Sequence, residues 1–439
     1  MTSFEIALSG IAILLALLAL RIPVAVAMLL VGLGGYAAIS GWGPLLNYAK
    51  TAPYWRFASY DLSVVPMFLL MSQFASKAGL SRALFNAANT YLGHRRGGVA
   101  MAAVGGCAGF GAICGSSLAT AATMGQVALP ELRRYNYSGA LATGALAAGG
   151  TLGILIPPSV VLVIFAISVE ANIVTMFQAA LIPGLLAAFG YIVAISIYVR
   201  VKPEAGPVGP RASKAERRAA LLETWPVLLI FAVVIGGIYA GVFTPTEGAA
   251  VGAFGTGVIA VWRGGLRWQG FIDCLAGSAS STAMIFLILL GADFFNAFLG
   301  LSRMPLELAA FIDAVGLSPM LVLILMLVFY VLLGCVMDSL AMILLTVPVF
   351  WPIIAGLEFG LGEDDLKMWF GIVVLIVVEV GLITPPVGLN AFVINSMAKG
   401  VKLKETFIGL LPFLASDFIR VVILILFPSL TLWLPHLLK

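Results

Sequence analysis

The chain has 439 residues, of which 62% are hydrophobic and only 10% charged, with a formal net charge of +4. Soluble domains run near 45–50% apolar and about 25% charged, so this composition excludes a sizeable soluble domain and makes the bilayer the solvent. The small positive excess is then a topology signal rather than a footprint for nucleic acid. Cys107, Cys114, Cys274 and Cys335 lack CxxC-type spacing and read as packing residues. With only His94 and His436 and no HExxH, the pattern argues against an intramembrane metalloprotease. Nor is there a GxxxxGK[ST] loop to bind ATP phosphates. No enzyme activity and no cofactor are expected.

The apolar opening segment lacks a basic n-region and an A-x-A-like cleavage site, so it reads as the first membrane span. Arg21 follows it on the inner side, and residues 63–76 cross inward. His94-Arg95-Arg96 and Arg133-Arg134 both belong inside by the positive-inside rule. The stretch between them, about 97–132, must therefore enter the membrane and return as a re-entrant hairpin, its tip near Gly115-Ser116-Ser117. Next, Gly150–Ser159 reads GTLGILIPPS within an apolar run. Two prolines remove two backbone donors and push the preceding residue out of the helical region, which breaks the helix at 153–158. Residues 175–199 cross back inward. The polar stretch 200–223 carries six Lys/Arg and reads as a cytoplasmic linker.

Beyond the linker the pattern repeats inverted. Pro23 matches Pro245, Gly79-Leu80-Ser81 matches Gly300-Leu301-Ser302, Ser117-Leu118-Ala119 matches Ser339-Leu340-Ala341, and Pro130 matches Pro352, all 221 or 222 residues apart. Gly153 with Gly381, and Pro157-Pro158 with Pro385-Pro386, lie 228 apart. The extra residues fall in the polar segment 358–367, where a loop absorbs them. Matches in register mean an internal duplication. Arg263 and Arg267 lie inside, a second hairpin at about 319–357 enters from outside with its tip near Asp338-Ser339, and Glu363-Asp364-Asp365 lies outside. A second break falls at 381–386, and Lys399, Lys402 and Lys404 lie inside. Both termini come out on the outer face. The expected fold is thus an all-α polytopic membrane protein of two inverted-topology repeats, 1–199 and 224–439. Each holds a re-entrant hairpin and a broken helix. Broken backbone is tolerated in hydrocarbon only where protein buries it or a cavity is lined by it, and paired breaks in two halves point to a transporter binding site.

Several segments resemble the large membrane subunit of tripartite ATP-independent periplasmic (TRAP) transporters. They are GSSLATAA at 115–122, GTLGILIPPS at 150–159, FTPTEGAAV at 243–251, GCVMDSLAM at 334–342 and VGLITPPVG at 380–388. The resemblance implies a sodium-coupled importer in a bacterial or archaeal cytoplasmic membrane, working with a small four-helix membrane subunit. A soluble periplasmic binding protein would deliver an organic anion, usually a carboxylate. The implied architecture is a scaffold holding an elevator-type moving domain of hairpins and broken helices. The residues themselves leave open a stand-alone sodium/divalent-anion symporter, an ion channel and a membrane enzyme.

Sodium stripped of water wants hard oxygens, and an unwound helix offers them without formal charge. The expected ligands are the carbonyls around Gly153–Ile156 and Gly381–Thr384, with the hydroxyls of Ser117, Thr151, Ser339 and Thr384. A competing role for each hydroxyl is a bond to the carbonyl one turn back. For the anion, the half-helix N-termini after Pro158 and Pro386 supply partial positive charge. Ser116, Ser117, Ser159, Ser339 and Asn390 supply polar contacts, and Asn395 follows on the same half-helix. Asp338 stands out because an acid in a membrane helix costs about 2.5–3.5 kcal/mol on insertion scales. Its readings are cation binding, hairpin opening, or simple hydration. Glu247, after Pro245-Thr246, suits a helix N-terminus, and Glu379 is a further membrane-flanked acid. Arg420, in the last apolar span, reads either as an interfacial cation or as an anion ligand.

Overall fold

The computed structural model describes residues 2–438. Among these it forms twenty α-helices and two 3-10 turns, without a strand. Four helices are long and apolar enough to cross a bilayer alone: Ile173–Val201, Lys214–Tyr239, Trp268–Ser302 and Leu403–Leu426. The pair Gly139–Leu155 and Val160–Ser168 is bent by 46° at its break and makes a fifth candidate span. Several other apolar helices, Gly98–Cys114, Pro319–Gly334 and Ser339–Ala355 among them, have 10–17 residues. At 1.5 Å per residue the longest of these covers about 25 Å, short of the roughly 30 Å hydrocarbon core. That length suits arms that turn back.

Gly98–Cys114 and Ser117–Arg134 form the first hairpin, and Pro319–Gly334 and Ser339–Ala355 the second. At the first tip Gly115 takes φ 64°, a conformation that glycine adopts without the Cβ penalty. Ser116 and Asp338 then start the second arms, each accepting amide hydrogen bonds that the free helix end would leave unmade. Each hairpin packs on its own repeat's broken helix, whereas the half-helix beyond each break crosses over. Val160–Ser168 packs on Ser339–Ala355, and Leu389–Met397 packs on Ser117–Arg134. Glycines close the seams in both repeats. A methyl built at Gly111 would sit 2.5 Å from the Cα of Gly153, and one at Gly334 would sit 2.8 Å from the Cα of Gly381. Backbones meet there because side chains are absent.

A second exchange between repeats surrounds this centre. Val24–Ser40 runs along Trp268–Ser302, and Pro245–Trp262 along Val64–Lys77. Trp268–Ser302 is a single 35-residue helix, while the matching part of the first repeat is divided into Trp42–Phe57, a 3-10 turn at Tyr60–Ser63 and Val64–Lys77. Arg56, at the end of Trp42–Phe57, forms a two-pronged ion pair with Asp293 inside the long helix. The result is an all-α polytopic membrane fold of two repeats, each with a helical hairpin and a broken helix.

Local boundaries differ from the sequence reading in two places. The helices run on through Gly153 to Leu155 and through Gly381, so the breaks occupy 156–159 and 382–388 rather than 153–158 and 381–386. A proline removes its own amide but leaves the preceding turn's earlier bonds intact, so the helix ends just ahead of it. The stretch 200–223 is also not all linker, since helix Lys214–Tyr239 begins inside it on a Ser213–Glu216 capping box.

Candidate functional site

Two short arms and two helix ends meet at the first break. Pro157 and Pro158 carry no N–H, so the carbonyls of Gly153 and Ile154 lose the amide donor one turn on. Gly153 packs against the second arm of the first hairpin, where an added methyl would sit 2.5 Å from Thr120 Oγ1 and 2.8 Å from the Ser116 carbonyl. Thr120 Oγ1 is buried without a hydrogen-bond partner. The tip itself docks on the break, for a methyl at Gly115 would lie 3.1 Å from the Pro158 carbonyl. An unpaired hydroxyl and the hairpin tip thus lie against the broken backbone. Residues 151–160 are all buried, Pro158 and Ser159 included. Ser159 Oγ accepts from the Leu162 amide at 3.3 Å and so caps the half-helix.

The second break resolves its loose ends differently. The Gly381 carbonyl accepts from the Thr384 amide and the Leu382 carbonyl from the Asn390 amide, both at 3.1 Å. Thr384 Oγ1 donates to the Val380 carbonyl at 2.6 Å, the back-bond that competes with ion binding. Cys335 Sγ donates to the Pro385 carbonyl at 3.3 Å, tying the second hairpin to the break. Pro385 and Pro386 are exposed, in contrast to their buried counterparts.

Between the breaks lies a buried polar centre. Ser117 Oγ accepts from Asn390 Nδ2 at 2.7 Å, which joins the first hairpin tip to the second half-helix. Ser339 Oγ donates to Glu379 Oε1 at 2.7 Å, and Ser117 lies beside the same carboxylate. Thr151 Oγ1 donates to the Ala148 carbonyl at 2.6 Å and lies 3.0 Å from Tyr191 OH. Tyr191 in turn donates to Asp417 Oδ2 at 2.8 Å, and Arg420 Nη2 donates to Asp417 Oδ1 at 2.7 Å. All of these side chains are buried.

The structure therefore brings together Ser117, Ser339, Asn390 and Thr151, with Gly153 and Ser116 at the adjoining tip. Asp338 stands apart as a helix cap, its Oδ1 accepting from the amides of Leu340 and Ala341 at 3.0 Å. An acid suits that position through capping and the helix dipole. Asn395 is spent on the Val401 carbonyl at 3.0 Å. Glu247 closes a capping box with Thr244. Arg420 is buried and paired with Asp417. Sequence reasoning missed Thr120, Tyr191 and Asp417 and gave Glu379 no role. The available signals were the i,i+3 spacing of Asp417 and Arg420, and the 228-residue offset that sets Glu379 opposite Thr151.

Similarity to known proteins places the chain in a family. A family model described as "Tripartite ATP-independent periplasmic transporter, DctM component" matches residues 11–430. The C4-dicarboxylate TRAP transporter large permease protein DctM of Pseudomonas aeruginosa is 37% identical over 379 residues, 86% of each chain. The sialic acid TRAP transporter large permease protein SiaM of Vibrio cholerae is 30% identical, covering 96% of this chain and 97% of that one. In fold the chain is similar to the crystal structure of the Alcanivorax borkumensis YdaH transporter, with a TM-score of 0.65 at 15% identity over 92% of this chain and 97% of that one. The relatives are permease subunits rather than enzymes, and the apolar helices place the chain in a membrane as a multi-pass protein. The chain belongs to the DctM-component family of tripartite ATP-independent periplasmic transporters.

Proposed function

We propose that this protein is the sodium-coupled membrane subunit of an importer for a small organic anion of the carboxylate class. Family membership implies a small membrane subunit and a periplasmic binding protein as its partners. The named cargoes of two relatives, C4-dicarboxylate and sialic acid, are both carboxylates, which supports that substrate class. The observation that carries sodium coupling is the first break, where Pro157 and Pro158 deprive two carbonyls of their amide donors and the unpaired Thr120 hydroxyl lies against Gly153. Bound cations there would favour an anion beside the half-helix N-termini, so each ligand lowers the cost of desolvating the other. The hairpins and broken helices pack on one another and on Ile173–Val201 and Leu403–Leu426, which suits an elevator domain built from all of these inside a scaffold of other helices. Both termini and Glu363-Asp364-Asp365 would face the periplasm, with residues 200–213 in the cytoplasm of a bacterial or archaeal cell.

The test is uptake of a carboxylate cargo into liposomes holding the chain with its small subunit and binding protein. Uptake is expected to need a sodium gradient, and Thr120→Ala is expected to raise the half-saturating sodium concentration several-fold. Undiminished uptake with potassium in place of sodium would overturn the coupling. Uptake by this chain alone would instead indicate a stand-alone symporter.

A further inference from the structure

Both hairpin tips converge on a carboxylate outside the first-break oxygens. Glu379 is 1% exposed and sits two residues before Gly381. The repeat-matched serines of the two tips, Ser117 and Ser339, flank it, so elements of opposite repeats meet on a single side chain. Glu379 Oε2 has no hydrogen-bond partner. The same holds for Oδ1 of Asn390, which is 0% exposed and whose amide nitrogen donates to Ser117. Ser117, whose hydroxyl faces Glu379, is thus set between a carboxylate and the unmet Asn390 oxygen in a buried place. Native structures rarely leave such atoms unmet.

Charge leads to the same conclusion. Ionisable side chains on the elements packed against this helix include Tyr330 in the second hairpin, Tyr191, His436, and Lys404, Glu405, Asp417 and Arg420 on the last long helix. Among them, Asp417 and Arg420 act on Glu379 through charge. These two pair with each other, so the centre holds two acids and one base. A buried charge left without a partner costs several kcal/mol, and a bound cation offsets that cost.

We propose that Glu379, with Asn390, Ser117 and Ser339, is the seat of one monovalent cation, a proton or a sodium ion, whose arrival holds both hairpin tips together. The empty, charged seat would favour separation of the tips, and the filled one their closure, a shift set by differential affinity for the two states. This rests on the cation-coupled reading above and adds a site to it.

The experiment measures initial uptake by the complete three-component transporter against sodium at several pH values, for the unaltered chain and for Glu379→Gln. Glutamine keeps the shape and removes the charge. A sodium seat predicts a lower Hill coefficient for sodium in the variant. A proton seat predicts that the pH dependence of the unaltered transporter flattens in the variant. A folded variant that keeps both the original Hill coefficient and the original pH profile overturns the site. Should Glu379→Gln not fold, Ser339→Ala leaves the charge and removes a donor. It is expected to shift the sodium or pH midpoint several-fold, and an unshifted midpoint overturns the site equally. An unaltered transporter without any sodium requirement would overturn the sodium reading, while the pH arm still decides Glu379.

Discussion

The two helix breaks share a backbone plan and differ in almost everything chemical. Both end at paired prolines, both follow a glycine pressed against a glycine of the hairpin, and both receive a hairpin tip whose second arm is capped by an oxygen side chain. The first break is sealed within protein, with two carbonyls that lose their donors to prolines and the unpaired Thr120 hydroxyl against Gly153. The second satisfies its carbonyls internally, exposes Pro385 and Pro386, and sets Glu379 where the first has Thr151. Duplication supplied the geometry and divergence assigned the roles. Under the proposed sodium coupling, the first break would hold an ion with neutral oxygens and the second would meet the cargo.

Accessibility gives the sharpest contrast. In a chain whose four native cysteines have been replaced, Val387→Cys is expected to react with a small polar maleimide in native membranes. Ser159→Cys, at the sealed break, is expected to stay unreacted until the protein is denatured. Equal labelling of the two would erase the difference.

The charge asymmetry comes next in size. At the 228-residue offset the first repeat has Phe189 and Ile192 where the second has Asp417 and Arg420. Arg420→Met leaves Asp417 buried and unpaired, at an expected cost of about 3–5 kcal/mol. Adding Asp417→Asn should recover much of the loss, since a neutral pair needs no counter-charge. Thermal unfolding of the purified single and double variants measures this. A double variant as unstable as Arg420→Met would mean that Tyr191 and its hydrogen bonds, rather than the charges, hold the region.

The glycine seams should respond more alike. Gly111→Ala and Gly334→Ala each force a methyl within 3 Å of backbone on the facing helix, and overpacking of this kind costs about 1–3 kcal/mol. The first is expected to be the costlier, because its break has protein on every side. Melting temperatures of the two variants decide the order.

What the sequence made legible was whatever the backbone itself requires. Proline pairs stop helices, Gly115 turns a hairpin, and a run of matches in register reveals the duplication, so the fold class could be read without coordinates. The start of helix Lys214–Tyr239 was hidden because Lys, Glu and Arg suit a linker and a helix surface equally well. Only the S-x-x-E of Ser213–Glu216 distinguishes the two. The polar centre was less legible still. Ser117 and Asn390 lie 273 residues apart and Tyr191 and Asp417 lie 226 apart. No local pattern records which helices cross. Thr151 and Thr384 were legible as hydroxyls near breaks, yet each also makes the bond to a preceding carbonyl that such residues make in ordinary membrane helices.

The smallest expected effect separates Asp338 from Glu379, two acids of the same repeat. Asp338 caps a helix, and asparagine caps about as well as aspartate. Asp338→Asn should therefore leave stability and uptake nearly unchanged. Asp338→Ala removes the acceptor for two amides and should cost about 0.5–2 kcal/mol, with Ser116→Ala at the matching cap in the same range. Glu379→Gln differs in kind, because there the charge itself is the functional element. Melting curves and uptake rates for Asp338→Asn and Asp338→Ala settle which property of Asp338 matters. If Asp338→Asn folds normally but stops uptake, the negative charge at the second tip acts directly on an ion or a gate. The two tips would then differ in function as well as in sequence.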